Sequence, residues 1–181
     1  MMLISEHSAI GALVASVLTL AWNRRHSDRT MSVTWMSIFG AIAARVPDWS
    51  IDFVENFGIG GSNWAHRSVY THSILGIVLF GILVAISLIL VDFLKERLGK
   101  VNTMPKHVVL IILMAAFLTH IVTDMLESYP IRFLYPFSSR EFSGWIPSSL
   151  YQNNIFVLVI WIIGFGTAIA LSITELKEKT K

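Results

Sequence analysis

Imidazole and carboxylate groups recur near the ends of four apolar segments of this chain. His7 opens the first segment, Asp48 and Asp52 close the second, His66 and His72 precede the third, and His120 and Asp124 close the fourth. If each apolar segment crosses a bilayer once, helix parity brings all of these ends to one face. Such groups are costly at membrane depth unless they are paired or bound to an ion. The chain has no cysteine, so a thiol nucleophile, a disulfide and a thiolate zinc site are excluded, and any ion must be held by nitrogen and oxygen. His7, Asp48, His66, His72, His120 and Asp124 make a His/Asp ligand set that suits zinc, with manganese or iron as alternatives. The set is large enough for one or two divalent ions.

Three local patterns carry this reading. In HIVTD (His120 to Asp124) the spacing of four puts both side chains on one helix face, one turn apart, where they can share an ion or simply close a helix as a polar pair. In HRSVYTHS (His66 to Ser73) the two histidines flank a short connection, Thr71 or Ser73 could cap the following helix, and Arg67 could receive a phosphate or carboxylate. In VPDWSIDF (Val46 to Phe53) Pro47 breaks or kinks the second helix where Asp48 is presented, and Asp52 shares a face with Asp48 if helix resumes. His7, beside Glu6, would on its own be a surface residue. His26 and His107 fall at the other ends of their segments and are given no chemistry.

The elements that must position these groups are membrane helices. Of the 181 residues, 54% are hydrophobic and 14% charged, outside the usual balance of a soluble domain and of a size for one domain, 1-181. Ser73 to Phe93 and Ile155 to Ile173 are near the length needed to cross a bilayer. Val108 to Val122 reaches it when extended to Met125. Ile10 to Trp22 spans only if its helix begins near Met2, and Val33 to Val46 only if it continues through Trp49 toward Val54. The expected fold is therefore an all-α, polytopic helical bundle of about five transmembrane helices. Ten Lys and Arg fall in the first and third loops and the tail (Arg24, Arg25, Arg29, Lys95, Arg97, Lys100, Lys106, Lys177, Lys179, Lys181), against four on the other side (Arg45, Arg67, Arg132, Arg140). This positive-inside bias predicts the N-terminus outside, the C-terminus in the cytoplasm and the His/Asp set at the outer face of the membrane. The same clustering makes a nucleic-acid surface a poor reading of the net charge of +2. Gly76 and Gly81, or Gly164 and Gly166, are placed to permit close helix contact. The N-terminus has no basic run and carries Glu6, unlike a cleavable signal peptide.

In this order the residues resemble the YdjM-like family of inner-membrane proteins, a group described as metal-dependent hydrolases. The resemblance rests on His7 with Gly11, Pro47-Asp48, the HRSVYTHS block, HIVTD and the YPFS segment at Tyr135 to Ser138, and it covers the chain from His7 to about Phe142. The family is in turn distantly similar to zinc phospholipase C and P1-type nucleases, which implies phosphoester hydrolysis by analogy. Two departures stand out. Ser50 occupies a position where the family often has a second Asp, so that carboxylate is Asp52 or is lost, and MLESYP lacks a Gly common after the His-x-x-x-Asp pair.

The expected activity is hydrolysis of a lipid or lipid-linked phosphate at headgroup depth, with water activated by the metal. Arg67, Arg132 and Arg140 would bind substrate oxygens, and Asp52 or Glu127 would serve as general base. The alternative is a non-enzymatic metal-binding, transport or scaffold protein. A transporter should carry polar groups at the midplane along a path to both faces, and the third and fifth spans have no ionisable residue at their centres. The sequence identifies no protein partner.

Overall fold

The structure is a computed structural model, and it describes residues 4–26, 31–49, 70–98, 105–127, 130–147, 149 and 153–179. Its elements are α1 (Ile4–Arg25), α2 (Val33–Arg45), a 3-10 turn (Val46–Asp48), α3 (Ile74–Arg97), α4 (Lys106–Leu126), α5 (Asn154–Trp161), a π-helical turn (Ile162–Gly166) and α6 (Thr167–Lys179). The fold is all-helical, as the sequence predicts. α5, the π turn and α6 run on as one rod, opened by Asn153, whose side-chain oxygen accepts from the amides of Ile155 and Phe156.

α4 is the centre of the bundle and packs against α1, α2 and α3. On one side Phe80 of α3 stacks on Phe117 of α4 with ring centroids 4.4 Å apart, among Ala43, Val84, Ile121 and Ile131. α1 and α2 approach each other through glycine. A Cβ on Gly11 would overlap Ala44 Cβ and the Gly40 carbonyl, and one on Gly40 would overlap Ala15 Cβ and the Gly11 carbonyl. Small residues at a crossing give close backbone contact where lipid supplies no hydrophobic drive. The buried hydroxyls of Ser16 and Thr19 donate one turn back, to Ala12 O and Ala15 O at 2.7 Å, so α1 carries these two hydroxyls inward without orphaning them.

Among the described residues, three stretches are long and apolar enough to cross a membrane: Ile74–Arg97, Lys106–Leu126 and Asn154–Lys177. α1 and α2 fall outside that set. α1 has 22 residues but is interrupted by polar side chains, and α2 has 13 and stops at the Pro47 turn, where the missing N–H ends α-helical bonding. The continuation of α2 toward Val54 lies outside the described residues.

The connection 130–147 folds over one end of the bundle. Its carbonyls of Phe133 and Tyr135 accept from the first amides of α3, Ile74 and Leu75, at 2.9 and 3.3 Å. Gly144 and Ile146 donate to Glu127 O and Leu126 O at the end of α4, at 2.6 and 3.0 Å. The expected side-chain cap of α3 is thereby replaced. Ser73 holds the N-cap position without a side-chain capping bond, because backbone carbonyls from the later loop take the orphan amides. The glycines divide similarly. Gly164 seats directly on Ala9 of α1, Gly76 meets its own preceding backbone at Thr71, Gly81 lies against Met114, and Gly166 has nothing within 4 Å.

Candidate metal centre

His7 lies in the first turn of α1, Asp48 in the turn after α2, His72 two residues before α3, and His120 and Asp124 in the last two turns of α4. They come from four separate parts of the chain, yet all five converge at the end of the bundle covered by the 130–147 connection. All are 1% exposed or less. Two triads, His7/Asp48/His120 and His72/His120/Asp124, each offer three ligand atoms within 4.8 Å of one another.

The distances fit an ion. His72 Nε2 is 3.0 Å from His120 Nε2, 3.3 Å from Asp124 Oδ2 and 3.6 Å from Asp48 Oδ1. His120 Nε2 is 3.5 Å from Asp124 Oδ2 and 3.5 Å from Asp48 Oδ1. Ligands about 2.0–2.1 Å from a tetrahedral ion stand about 3.3 Å apart along each edge. Asp124 also turns Oδ1 to His7 Nε2 at 3.5 Å, so one carboxylate addresses two groups of imidazoles. The His7 ring stacks on that of His120 with centroids 3.7 Å apart.

The outward nitrogens decide what the inward ones present. His120 Nδ1 lies 2.7 Å from Ala44 O, and a carbonyl only accepts, so Nδ1 carries the hydrogen. Thr123 Oγ1 donates its single hydrogen back to Thr119 O and His120 O, at 2.9 and 2.8 Å. Toward His7 Nδ1, 3.0 Å away, it therefore accepts. With Nδ1 engaged in this way, the neutral forms of His7 and His120 would point Nε2 lone pairs into the cluster, as when a hydrogen bond at the far nitrogen orients a metal-binding imidazole. His72 follows the same layout, with Nδ1 2.9 Å from Thr71 Oγ1 and Nε2 inward. A proton on His72 Nε2 could serve one of its three close contacts; a cation serves all of them.

The remaining expected site residues are distributed as follows. His66, Arg67 and Asp52 lie outside the described residues. Glu127 is wholly buried three residues beyond Asp124, with its amide on Asp124 O at 3.2 Å. Arg132 and Arg140 are exposed on the covering connection. Arg132 pairs with Glu141 at 3.1 Å, and the Arg140 guanidinium lies 5.5 Å from the Phe142 ring centroid. Sequence reasoning missed the outer shell: Thr123, which lies inside HIVTD and could have been read as a histidine partner, the Ala44 carbonyl, which no side-chain pattern names, and Thr71 as a histidine partner rather than a cap. It also gave no role to Glu6, which is wholly buried beside His7.

No curated protein and no solved structure matches the chain. Residues 1–178 match the family described as YdjM inner membrane protein, which agrees with the three apolar helices and the motifs that converge here, and the chain belongs to that family.

Proposed function

We propose that this protein is a membrane-embedded, metal-dependent phosphoesterase acting on a lipid or lipid-linked phosphate at the outer face of the membrane. The carrying observation is the convergence of inward Nε2 atoms and carboxylate oxygens in two triads, with contacts of 3.0–3.6 Å among His72, His120, Asp48 and Asp124 and with the outer imidazole nitrogens held by Ala44 O and Thr123 Oγ1. A bound divalent ion, zinc first and manganese or iron next, supplies Lewis-acid activation of water and of a phosphoryl oxygen. His72, His120 and Asp124 would hold one ion, and His7 and Asp48, which form the second triad with His120, would extend the site toward another. His66 joins this set in our reading.

Around that centre, Glu127 or Asp52 takes the proton from water, and Arg67, Arg132 and Arg140 bind the phosphate oxygens and stabilise developing charge. α1 and α2 complete a five-span bundle with the N-terminus outside. Hydrolysis is favoured over transport because the ligands gather at one end, while the interior of α3 and α4 between the two ends is apolar.

The test is elemental mass spectrometry of the detergent-purified protein beside a His72→Ala, His120→Ala variant, followed by a screen of lipid phosphates. Bound zinc, manganese or iron, lost in a still-folded variant together with phosphate release, is the expected result. A protein that neither carries nor takes up metal would sink the reading.

A further inference from the structure

α2 and α3 both pack on α4 but diverge from one another, and the gap between them is an apolar groove of about 430 Å³. Phe39 and Ile42 wall it on one side, Leu83 and Val91 on the other, and Val109 and Leu113 of α4 form its floor. The Ser87 hydroxyl in the lining donates to Leu83 O at 2.8 Å, so it offers hydrocarbon no unsatisfied donor. Along α3 the lining runs from Phe80 to Val91, about 16 Å at 1.5 Å per residue, close to half of a hydrocarbon core of about 30 Å. Val46 and Trp49, which bracket Pro47 and Asp48, also line the groove. The adjoining Ala43 precedes Ala44, whose carbonyl holds His120.

A slot one leaflet deep that ends beside a buried His/Asp cluster has the shape of a lipid with its head at the cluster. We infer that this groove holds one hydrocarbon tail of the substrate, and that the substrate is accordingly a long-chain lipid phosphate entering sideways from the outer leaflet past Trp49. The inference rests on the phosphoesterase reading for the head and on the groove for the tail.

Two measurements separate these. The first compares wild type with Leu83→Trp and Ser87→Trp, which intrude into the groove from its exposed rim, and with Ile86→Trp, exposed on the same helix but outside the lining. Metal-loaded protein is assayed on long-chain phosphatidic acid in mixed micelles and on its dihexanoyl analogue. The long-to-short activity ratio should fall about tenfold in the two groove variants, as expected for overpacking, and hold in Ile86→Trp. An unchanged ratio in the groove variants, or an equal fall in the control, overturns the tail site. The second uses phosphatidic acid with a photoactivatable tail in phosphatidylcholine vesicles. Crosslinks concentrated on groove residues and lost in Ser87→Trp support the site even if no substrate is turned over, in which case the hydrolase reading alone fails. Labelling spread evenly over the lipid-facing helices would mean boundary lipid only and overturns it.

Discussion

Both ends of this bundle carry histidine and aspartate, and they use them differently. At the end away from the 130–147 connection, His26 lies with Nδ1 3.2 Å from Trp22 O and its ring stacked on Trp22 at 3.7 Å, while His107 meets the edge of the same indole. Asp92 there pairs with Lys106, and both side chains are partly exposed. At the other end the imidazoles are buried, their outer nitrogens are held by a carbonyl and by hydroxyls, and their inner nitrogens face aspartate oxygens. A histidine becomes a ligand through what fixes its far nitrogen and what shares its near one. Proximity to an aromatic ring or to the end of a helix gives it neither.

The strongest way to break this comparison is to remove a ligand from each end. His120→Ala should abolish bound metal, whereas the double variant His26→Ala, His107→Ala should keep it, both read by elemental analysis. Retained metal in His120→Ala would place the ion elsewhere. Chelation should act on the same side. It should lower the thermal midpoint of wild type, with a loss of about 4 kcal/mol of stability if free metal had been about a thousand times Kd, and leave His120→Ala unmoved.

A finer blow falls on the outer shell. Thr123→Val keeps the shape but removes the acceptor that holds His7 Nδ1, 3.0 Å away. Metal affinity, measured by competition with a chromogenic chelator, should weaken about 10–100-fold. An unchanged affinity would mean that His7 does not contribute to the centre.

Much of the inner cluster is legible in the sequence because helical spacing is local. His120 and Asp124 are one turn apart by construction, and they do stand 3.5 Å from one another through Nε2 and Oδ2. Pro47 dictates a break, and Asp48 is delivered by the resulting turn. His7 is different. Nothing near it in sequence says that it is buried, since its partners Asp124, His120 and Thr123 lie more than a hundred residues away. The same holds for the cap of α3, where carbonyls of Phe133 and Tyr135 replace the side chain that propensity favours. The close crossing of Gly11 and Gly40 depends equally on a pairing of α1 with α2 that neither segment encodes alone.

Glycine sharpens the comparison through backbone placement. A Cβ on Gly76 would lie 2.7 Å from the carbonyl carbon of Thr71, in the segment that delivers His72. Gly76→Ala should therefore cost about 1–3 kcal/mol in stability and weaken metal binding with it. Gly166→Ala, facing open space, should be neutral or slightly stabilising. Equal behaviour of the two in thermal unfolding and metal titration would detach the Thr71–His72 segment from the centre.

The smallest effect belongs to the covering connection. Arg132 and Glu141 form an exposed pair, with side chains 51% and 50% accessible, so Arg132→Ala should change stability by no more than about 1 kcal/mol. Its effect on function should be larger than its effect on folding if the guanidinium receives phosphate. Glu141 then competes with substrate for the same donors, and both Nε and Nη2 of Arg132 lie 3.1 Å from one of its oxygens. Glu141→Gln should lower KM for a lipid phosphate and Arg132→Ala should raise it, with kcat moving less in each. Parallel shifts of KM in the two variants would instead make the pair a clasp that holds the connection over the buried cluster.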